Sequence, residues 1–533
     1  MIIQTIIILG LAYLFYEKVF KFYYYYWFYR RQGIPSTPFP LPFIGNLIEV
    51  KKALDNLGPY SKTVLEDYWH DCFGEILPPV FSDHRAPNGG IVFSDPNYVE
   101  EIYTIKSKYI DKDSKFQRLF YKVFGDSSFL SKSNEVWATK RKHLSAAFYK
   151  DKINLILRGA VSIANQRVKV WKNLIQKDKQ VVNLTKEMNE LIDDVVQICI
   201  FGQISLKKQL IFKKNGQESI VSLGRFIRLL SEKIFSRYAS LFRQFTDVFD
   251  FAALNKQERE DFENAKYLRE FTIRLIDERR KEIEKPDFQS QGDFLTLILQ
   301  DSYFEKDKDI IDEVVGFMTA SNVTTSIVMT NAIFYLTKNQ EAFKKVRDEF
   351  KKVLKVDETI SSLTDLQWAD LLTYENLNMC NYLNYCVNET MRIDPSSRVT
   401  TNHVFTENIQ IGGISILSET PWQINIYALQ NNPKEWIQPD QFIPERFDPL
   451  NPYYLTPAGT KRNSFSFGPF FGGKRICLGK TFAESLMKCL ISIIVNQIDF
   501  EFEDKELLKR KPIFALMQDE PCYLFRLKQY ETK

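Results

Sequence analysis

Near the C-terminus stands the run Phe470-Phe471-Gly472-Gly473-Lys474-Arg475-Ile476-Cys477-Leu478-Gly479. A helical pattern follows from Leu478 to about Asn496, with Phe482, Leu486 and Leu490 on one face. Cys477 thus precedes a helix N-terminus, where free N–H groups and partial positive charge favour a thiolate. Glycines at 472 and 473 permit a tight turn, and Gly479 lets a flat ligand approach the backbone. Arg475 carries a fork suited to a carboxylate, and Phe470 offers an aromatic wall. An isolated cysteine is ordinarily an inert buried thiol; these neighbours argue for an active one.

Other groups could act beside it. Trp137 and Arg141 lie four apart on one helical face, as would suit an amphipathic helix with a buried Trp or a pair reaching one ligand. Glu389 and Arg392 share a face of a helix ending near Asp394-Pro395, and Pro444-Glu445-Arg446-Phe447 follows downstream. The 27 residues Ile310 to Leu336 carry no charge after Glu313 and, as a helix, would run about 40 Å. Asp309 can cap that helix, with Asp312 and Glu313 in its first turn. A charge-free helix of this length is buried, so Ser321, Asn322, Thr324 and Thr325 need partners. They either bond back to carbonyls one turn earlier or face a cavity holding water or ligand.

The elements that must carry these groups are mostly helical. Helical patterns run Asn154 to Leu174, Leu184 to Ile200 and Asp261 to Glu284. Strand-like pieces are short: Gly90 to Phe93, Ile409 to Ile416, Trp422 to Ile426 and Cys522 to Leu527. The fold class is mainly α with small β-sheets (α+β). With 44% hydrophobic and 26% charged residues, the 533-residue chain can build a sizeable core, and its net charge of +4 gives no reason to invoke nucleic acid. Its 7 cysteines show no zinc or redox spacing, and its 4 histidines no metal-ligand spacing.

Residues Ile2 to Tyr16 are almost wholly apolar; an aromatic run, Phe22 to Tyr29, and then Arg30 and Arg31 follow. Positive charge before the run and a small-residue cleavage site after it are both missing, which favours an uncleaved anchor over a signal peptide. It reaches spanning length if Lys18 and Lys21 snorkel, with the Tyr and Trp cluster in the interface; an in-plane anchor is the alternative. We expect residues 1–29 to form a membrane anchor and residues 30–42, with four prolines, a basic, proline-rich hinge. Residues 43–533 would form one catalytic domain.

The cysteine run resembles the haem-binding loop of the cytochrome P-450 family, F-x-x-G-x-R-x-C-x-G, at Phe470, Gly473, Arg475, Cys477 and Gly479. Glu389, Arg392 and Arg446 resemble the family's E-x-x-R and P-E-R-F motifs, which implies a buried charge network behind the haem. Trp137 and Arg141 resemble its W-x-x-x-R helix. Ala320 to Thr325 resembles A-G-x-D/E-T-T, with Thr324 in the place of the threonine beside bound oxygen, Ser321 replacing the glycine and Val323 the acid. After Pro395 the family often has an arginine; His403 best fits that place, with Arg398 as the alternative.

The resemblance implies a cytochrome P-450-like fold with a long central helix over haem b, Cys477 as metal ligand, and Trp137, Arg141, His403 and Arg475 serving the propionates. It implies a monooxygenase inserting one oxygen atom of O2 into a lipophilic substrate such as a sterol, fatty acid or foreign compound. Electrons would come from NADPH through a flavoprotein reductase, with cytochrome b5 as a further donor, at the endoplasmic reticulum membrane with the catalytic domain on the cytoplasmic side. Thr324, Asn322 and Ser321 would handle protons, and Lys140, Lys142, Lys474 and Lys480 would dock the reductase. Tyr109 to Phe129 and Leu206 to Phe249 correspond to substrate-contact regions. Val323 also admits a reductase-independent isomerase or dehydratase of lipid hydroperoxides, and a non-catalytic haem sensor is a third reading.

Overall fold

The computed structural model describes residues 2–42, 44–56, 64–85, 89–205, 208–238, 243, 250–290, 292–356, 360, 363–503 and 524–529. Its axis is the helix Asp307–Lys338, 32 residues and about 48 Å long. The helix starts before the expected Ile310, and Asp309 does not cap it; that carboxylate pairs with Lys140 at 3.3 Å. Its longest contact is with Leu184–Phe201, which in turn packs on Lys150–Gln176; Lys480–Val495 packs on both Lys150–Gln176 and the central helix. These apolar faces fuse into the main core. The expected helices are all present, each within a few residues of its predicted ends.

A five-stranded sheet stands beside this body in the order Val80–Asp83, Gly90–Phe93, Trp422–Ile424, His403–Phe405, Ile110–Lys112. Its register sets His403 opposite both Trp422 and Lys112. The expected strand Ile409 to Ile416 is instead a hairpin, Ile409–Ile411 with Ile414–Ile416, turned by Gly412 and Gly413 at φ +54° and +80°. The expected C-terminal strand is Leu524–Gln529, with Cys522 and Tyr523 outside the described residues. Another hairpin, Gln209–Lys214 with Gln217–Ser222, lies within the region expected to contact substrate, part of which falls outside the described residues. Its turn, Asn215-Gly216, has both residues at positive φ, the type I′ geometry that this dipeptide signals.

At the N-terminus the helices Ile2–Phe15 and Lys21–Arg30 are joined by a π-helical turn, Tyr16–Phe20. Among the described residues no helix is long and apolar enough to cross a membrane, so the expected transmembrane helix is not shown. The apolar part, Ile2–Phe15, rises about 21 Å against the ~30 Å hydrocarbon layer, and the helical backbone continues through Glu17, Lys18 and Lys21 to Arg30. The aromatic run has two faces. Phe22, Tyr26 and Tyr29 are buried on the body, where Tyr29 donates to Thr420 Oγ1 at 2.8 Å, while Tyr24 and Trp27 are exposed. The proline-rich stretch is tied to the sheet edge, with Ser82 N–H donating to the Pro35 carbonyl and Thr37 N–H to that of Ser82.

Candidate active site

Cys477 lies between the short turn Gly473–Arg475 and the helix Lys480–Val495. Its N–H donates to the Phe470 carbonyl at 2.9 Å and closes the loop. Gly473, at φ +59°, needs glycine for its backbone. Gly472 needs it for packing, because a Cβ there would lie 2.4 Å from Cδ2 of Tyr103. Gly479 has an ordinary φ of −85°, and a Cβ there would meet Phe317 at 3.5 Å, so protein neighbours do not demand glycine at that point. Space for a non-protein group would explain it. Burial raises the Cys477 thiol pKa, against the Gly479 N–H and the Arg141 guanidinium, which lower it. Yet Cys477 is accessible. A sulfur that is both deep and accessible faces an opening inside the body.

The central helix forms the opposite wall. From Ile310 to Thr337 it is buried except at Phe317, Ala320, Ser321, Val323 and Thr324. Four of these, 317, 320, 321 and 324, fall at helical spacing on one stripe. The stripe meets the cysteine loop where Phe317 approaches Gly479. Ala320 is exposed at the middle of an otherwise buried helix, so the stripe borders open space rather than packed side chains. Thr324 Oγ1 donates to the Ala320 carbonyl at 2.7 Å and Ser321 Oγ to that of Phe317 at 2.8 Å, the back-bonding expected of helical hydroxyls. Asn322 does not join them. It points about 160° away from Thr324 around the helix and is buried, accepting from Arg228 Nη2 at 2.8 Å. Arg228 in turn pairs with Asp193 at 2.7 Å.

Beside this opening the structure gathers cations. The Arg475 guanidinium stacks 4.0 Å from the Trp137 ring and bonds the Ser128 and Ser131 carbonyls and Ser133 Oγ. Trp137 Nε1 donates to the Ser128 carbonyl at 3.0 Å, and Arg141 donates to the Ile476 carbonyl next to the sulfur. His403 stacks on Trp422, its Nδ1 buried without a partner. Lys112, which sequence reasoning missed, reaches Thr401 Oγ1 at 2.8 Å. Burial, with Arg475 and Arg141 nearby, lowers Lys112 to about 7. Burial and Arg141 hold Arg475 at about 10 against the pull of Asp111, and burial with Lys112 and Arg475 lowers His403. Among the described residues, Asp111 is the one carboxylate acting on Lys112 and Arg475. Lys112, Arg141 and Arg475 with one acid, Asp111, fit a ligand bearing two carboxylates, and an accessible thiol near the open stripe of the central helix fits the metal of a porphyrin.

Behind the loop, Glu389, Arg392 and Arg446 are fully buried. Arg392 grips Glu389 at 2.7 and 2.9 Å, and Arg446 Nε reaches it at 3.0 Å. Arg392 also bonds the Gln430 carbonyl at 2.8 Å, and Gln430 Oε1 accepts the Gly468 N–H at 3.1 Å, which ties the network to the start of the cysteine loop. Arg398 bonds Glu66 and Asp394 at 3.1 and 2.9 Å, so it is committed elsewhere, while His403 lies opposite Lys112 in the sheet. Of the proposed docking lysines, Lys140 is buried against Asp309 and Glu313, which removes it from any docking surface. Lys480 pairs with Glu484 at 3.1 Å, while Lys142 is exposed. Lys112 sits in a strand too short to read from pattern, and nothing local in its sequence marks it.

The family model for cytochrome P450 matches residues 35–525. The chain is 28% identical over 457 residues to "Cytochrome P450 4F5" of Rattus norvegicus, covering 81% of this chain and 79% of that protein. It is 24% identical over 503 residues to the "Ultra-long-chain fatty acid omega-hydroxylase" of Homo sapiens, covering 91% and 84%. To "Cytochrome P450 4A6" of Oryctolagus cuniculus it is 23% identical over 541 residues, covering 98% and 96%.

Proposed function

The chain belongs to the cytochrome P450 family and is a monooxygenase of that family, and from this premise we propose that it hydroxylates a long-chain lipid of the fatty-acid class. Similarity to a fatty acid omega-hydroxylase supports the substrate class. The observation that carries the reading is Cys477 accessible deep in the body, across an opening from the Ala320–Thr324 stripe. Haem held there would supply activation of dioxygen for insertion of one oxygen atom into the substrate.

The chain's own residues do the rest. Cys477 would present its sulfur to the iron, with the Gly479 N–H and Arg141 steadying negative charge on it. Lys112, Arg141, Arg475 and His403 would hold the two carboxylates, with Trp137, whose one N–H goes to the Ser128 carbonyl, backing Arg475 through its ring, and Phe470 and Gly479 would leave room for the flat ring. Thr324 and Ser321 hold hydroxyl protons on the open face, and Asn322 is left out of that path. Val323 carries no proton, so ordered water must close the route to Thr324. Electrons enter from NADPH through a flavoprotein reductase. The exposed apolar residues of Ile2–Phe15, with Tyr24 and Trp27, attach the chain to the endoplasmic reticulum membrane, the body facing the cytoplasm.

The test is aerobic incubation with reductase, NADPH and saturated fatty acids of graded length. The expected result is a product one oxygen heavier, formed near the methyl end; consumption of NADPH without such a product from any chain length refutes the substrate class. Val323 favours a second reading, isomerisation of lipid hydroperoxides without an electron donor. Turnover of a hydroperoxide in the absence of NADPH and reductase would establish it.

A further inference from the structure

Two adjacent buried carboxylates, Asp312 and Glu313, stand in the second turn of the central helix, and both bond outside it. Asp312 accepts the Asp126 N–H at 2.8 Å and pairs with Arg269 at 2.5 Å. Glu313, 4% exposed, grips a single residue twice, accepting the Ser128 N–H at 2.6 Å and the Ser128 hydroxyl at 2.7 Å. The carbonyl of that same Ser128 accepts Trp137 Nε1 at 3.0 Å and Arg475 Nη1 at 3.2 Å. Glu313 also meets Lys140 at 3.4 Å, on the helix that carries Trp137 and Arg141. The loop has no slack. A Cβ at Gly125 would overlap Asp312, and one at Gly316 would lie 3.1 Å from Ser127 Cβ.

We propose that Glu313 is a positioning residue for the carboxylate cradle: it fixes Ser128, whose carbonyl aligns Trp137 and Arg475, and it thereby sets how tightly haem is held. The inference rests on the haem reading above. A residue that merely braced the fold would have no reason to converge, through one serine, on two cradle side chains from different parts of the chain. Asp312 is the natural comparison, being equally buried and adjacent but bonded to Asp126 and Arg269 instead.

The experiment uses the haem-loaded full chain and measures haem transfer to an excess of a haem-free globin, together with the midpoint potential of the iron. Glu313→Gln removes the negative charge and sets an amide N–H against donors. It should speed haem loss about 10–100-fold, the usual effect of losing a partner that orients ligating groups, and shift the potential. Glu313→Asp should recover part of both. Asp312→Asn should lower thermal stability with little change in haem loss. Should Glu313→Gln fail to fold, Ser128→Ala, which removes one of the two bonds, should give a smaller change of the same sign.

Parental haem loss and potential in Glu313→Gln, or in Ser128→Ala if that is the variant that folds, overturn the proposal. So does an Asp312→Asn variant that loses haem as fast as Glu313→Gln, because Glu313 would then be a brace only. A parent chain that takes up no haem overturns the reading beneath, and this proposal with it.

Discussion

Replacing Lys112 by methionine should stabilise the haem-free protein, and by an amount that shrinks as pH rises. Burial, with Arg475 and Arg141 close by, lowers the Lys112 ammonium from 10.5 to about 7. The unfolded chain keeps its ordinary affinity for that proton, so between pH 7 and 10.5 the unfolded state binds more protons than the folded one. Folded stability therefore rises through this window, by about 1.4 kcal/mol per pH unit at most. Below pH 7 both states are protonated and the whole penalty, about 5 kcal/mol, is present. Lys112→Met removes the titration. Its advantage over the parent should fall by about 2 kcal/mol between pH 7 and pH 9, where the folded lysine is already neutral. Urea unfolding of both proteins at each pH gives the difference directly, and titrations they share cancel. With haem bound the sign should turn, because two carboxylates beside the ammonium favour its charge, and the variant should then release haem faster. A pH-independent difference between the two haem-free proteins would refute the reasoning.

Further expectations follow from the same geometry. Glu389→Ala would leave Arg392 and Arg446 buried without their carboxylate and should cost about 3–5 kcal/mol, read from thermal unfolding and the yield of folded protein. Gly472→Ala places a methyl against Tyr103 and should cost about 1–3 kcal/mol, part of it recovered when Tyr103 is also shortened to alanine. Ala320→Phe fills the open stripe of the central helix, so haem bound per chain should fall while unfolding of the haem-free protein stays close to the parent's.

Much of the site was legible because its chemistry is local. Phe470, Gly473, Arg475, Cys477 and Gly479 sit in ten residues, and the Glu389–Arg392 pair and the Trp137–Arg141 pair repeat at helical spacing. The long helices were legible for the same reason, since their apolar periodicity extends over many turns. Lys112 was not, because its place in the cradle comes from strand pairing with His403, some 290 residues away in sequence. Glu313 read as a helix-start acid, and its grip on Ser128 exists only once the loop 125–131 folds back on the helix. Asn322 looked like a neighbour of Thr324 in sequence, yet helical geometry turns it to the opposite side, toward Arg228. The hairpin turn at Asn215-Gly216 carried a readable signal, inside a region read only as a substrate-contact segment.

The central claim is that Cys477 binds haem iron through its sulfur, and the absorption spectrum of the reduced, carbon-monoxide-treated protein tests it most directly. The account predicts a main band shifted strongly to the red of that of histidine-ligated haem, and its loss in Cys477→Ser. A colourless protein after haem supplementation, or an unaltered band in the serine variant, would contradict it.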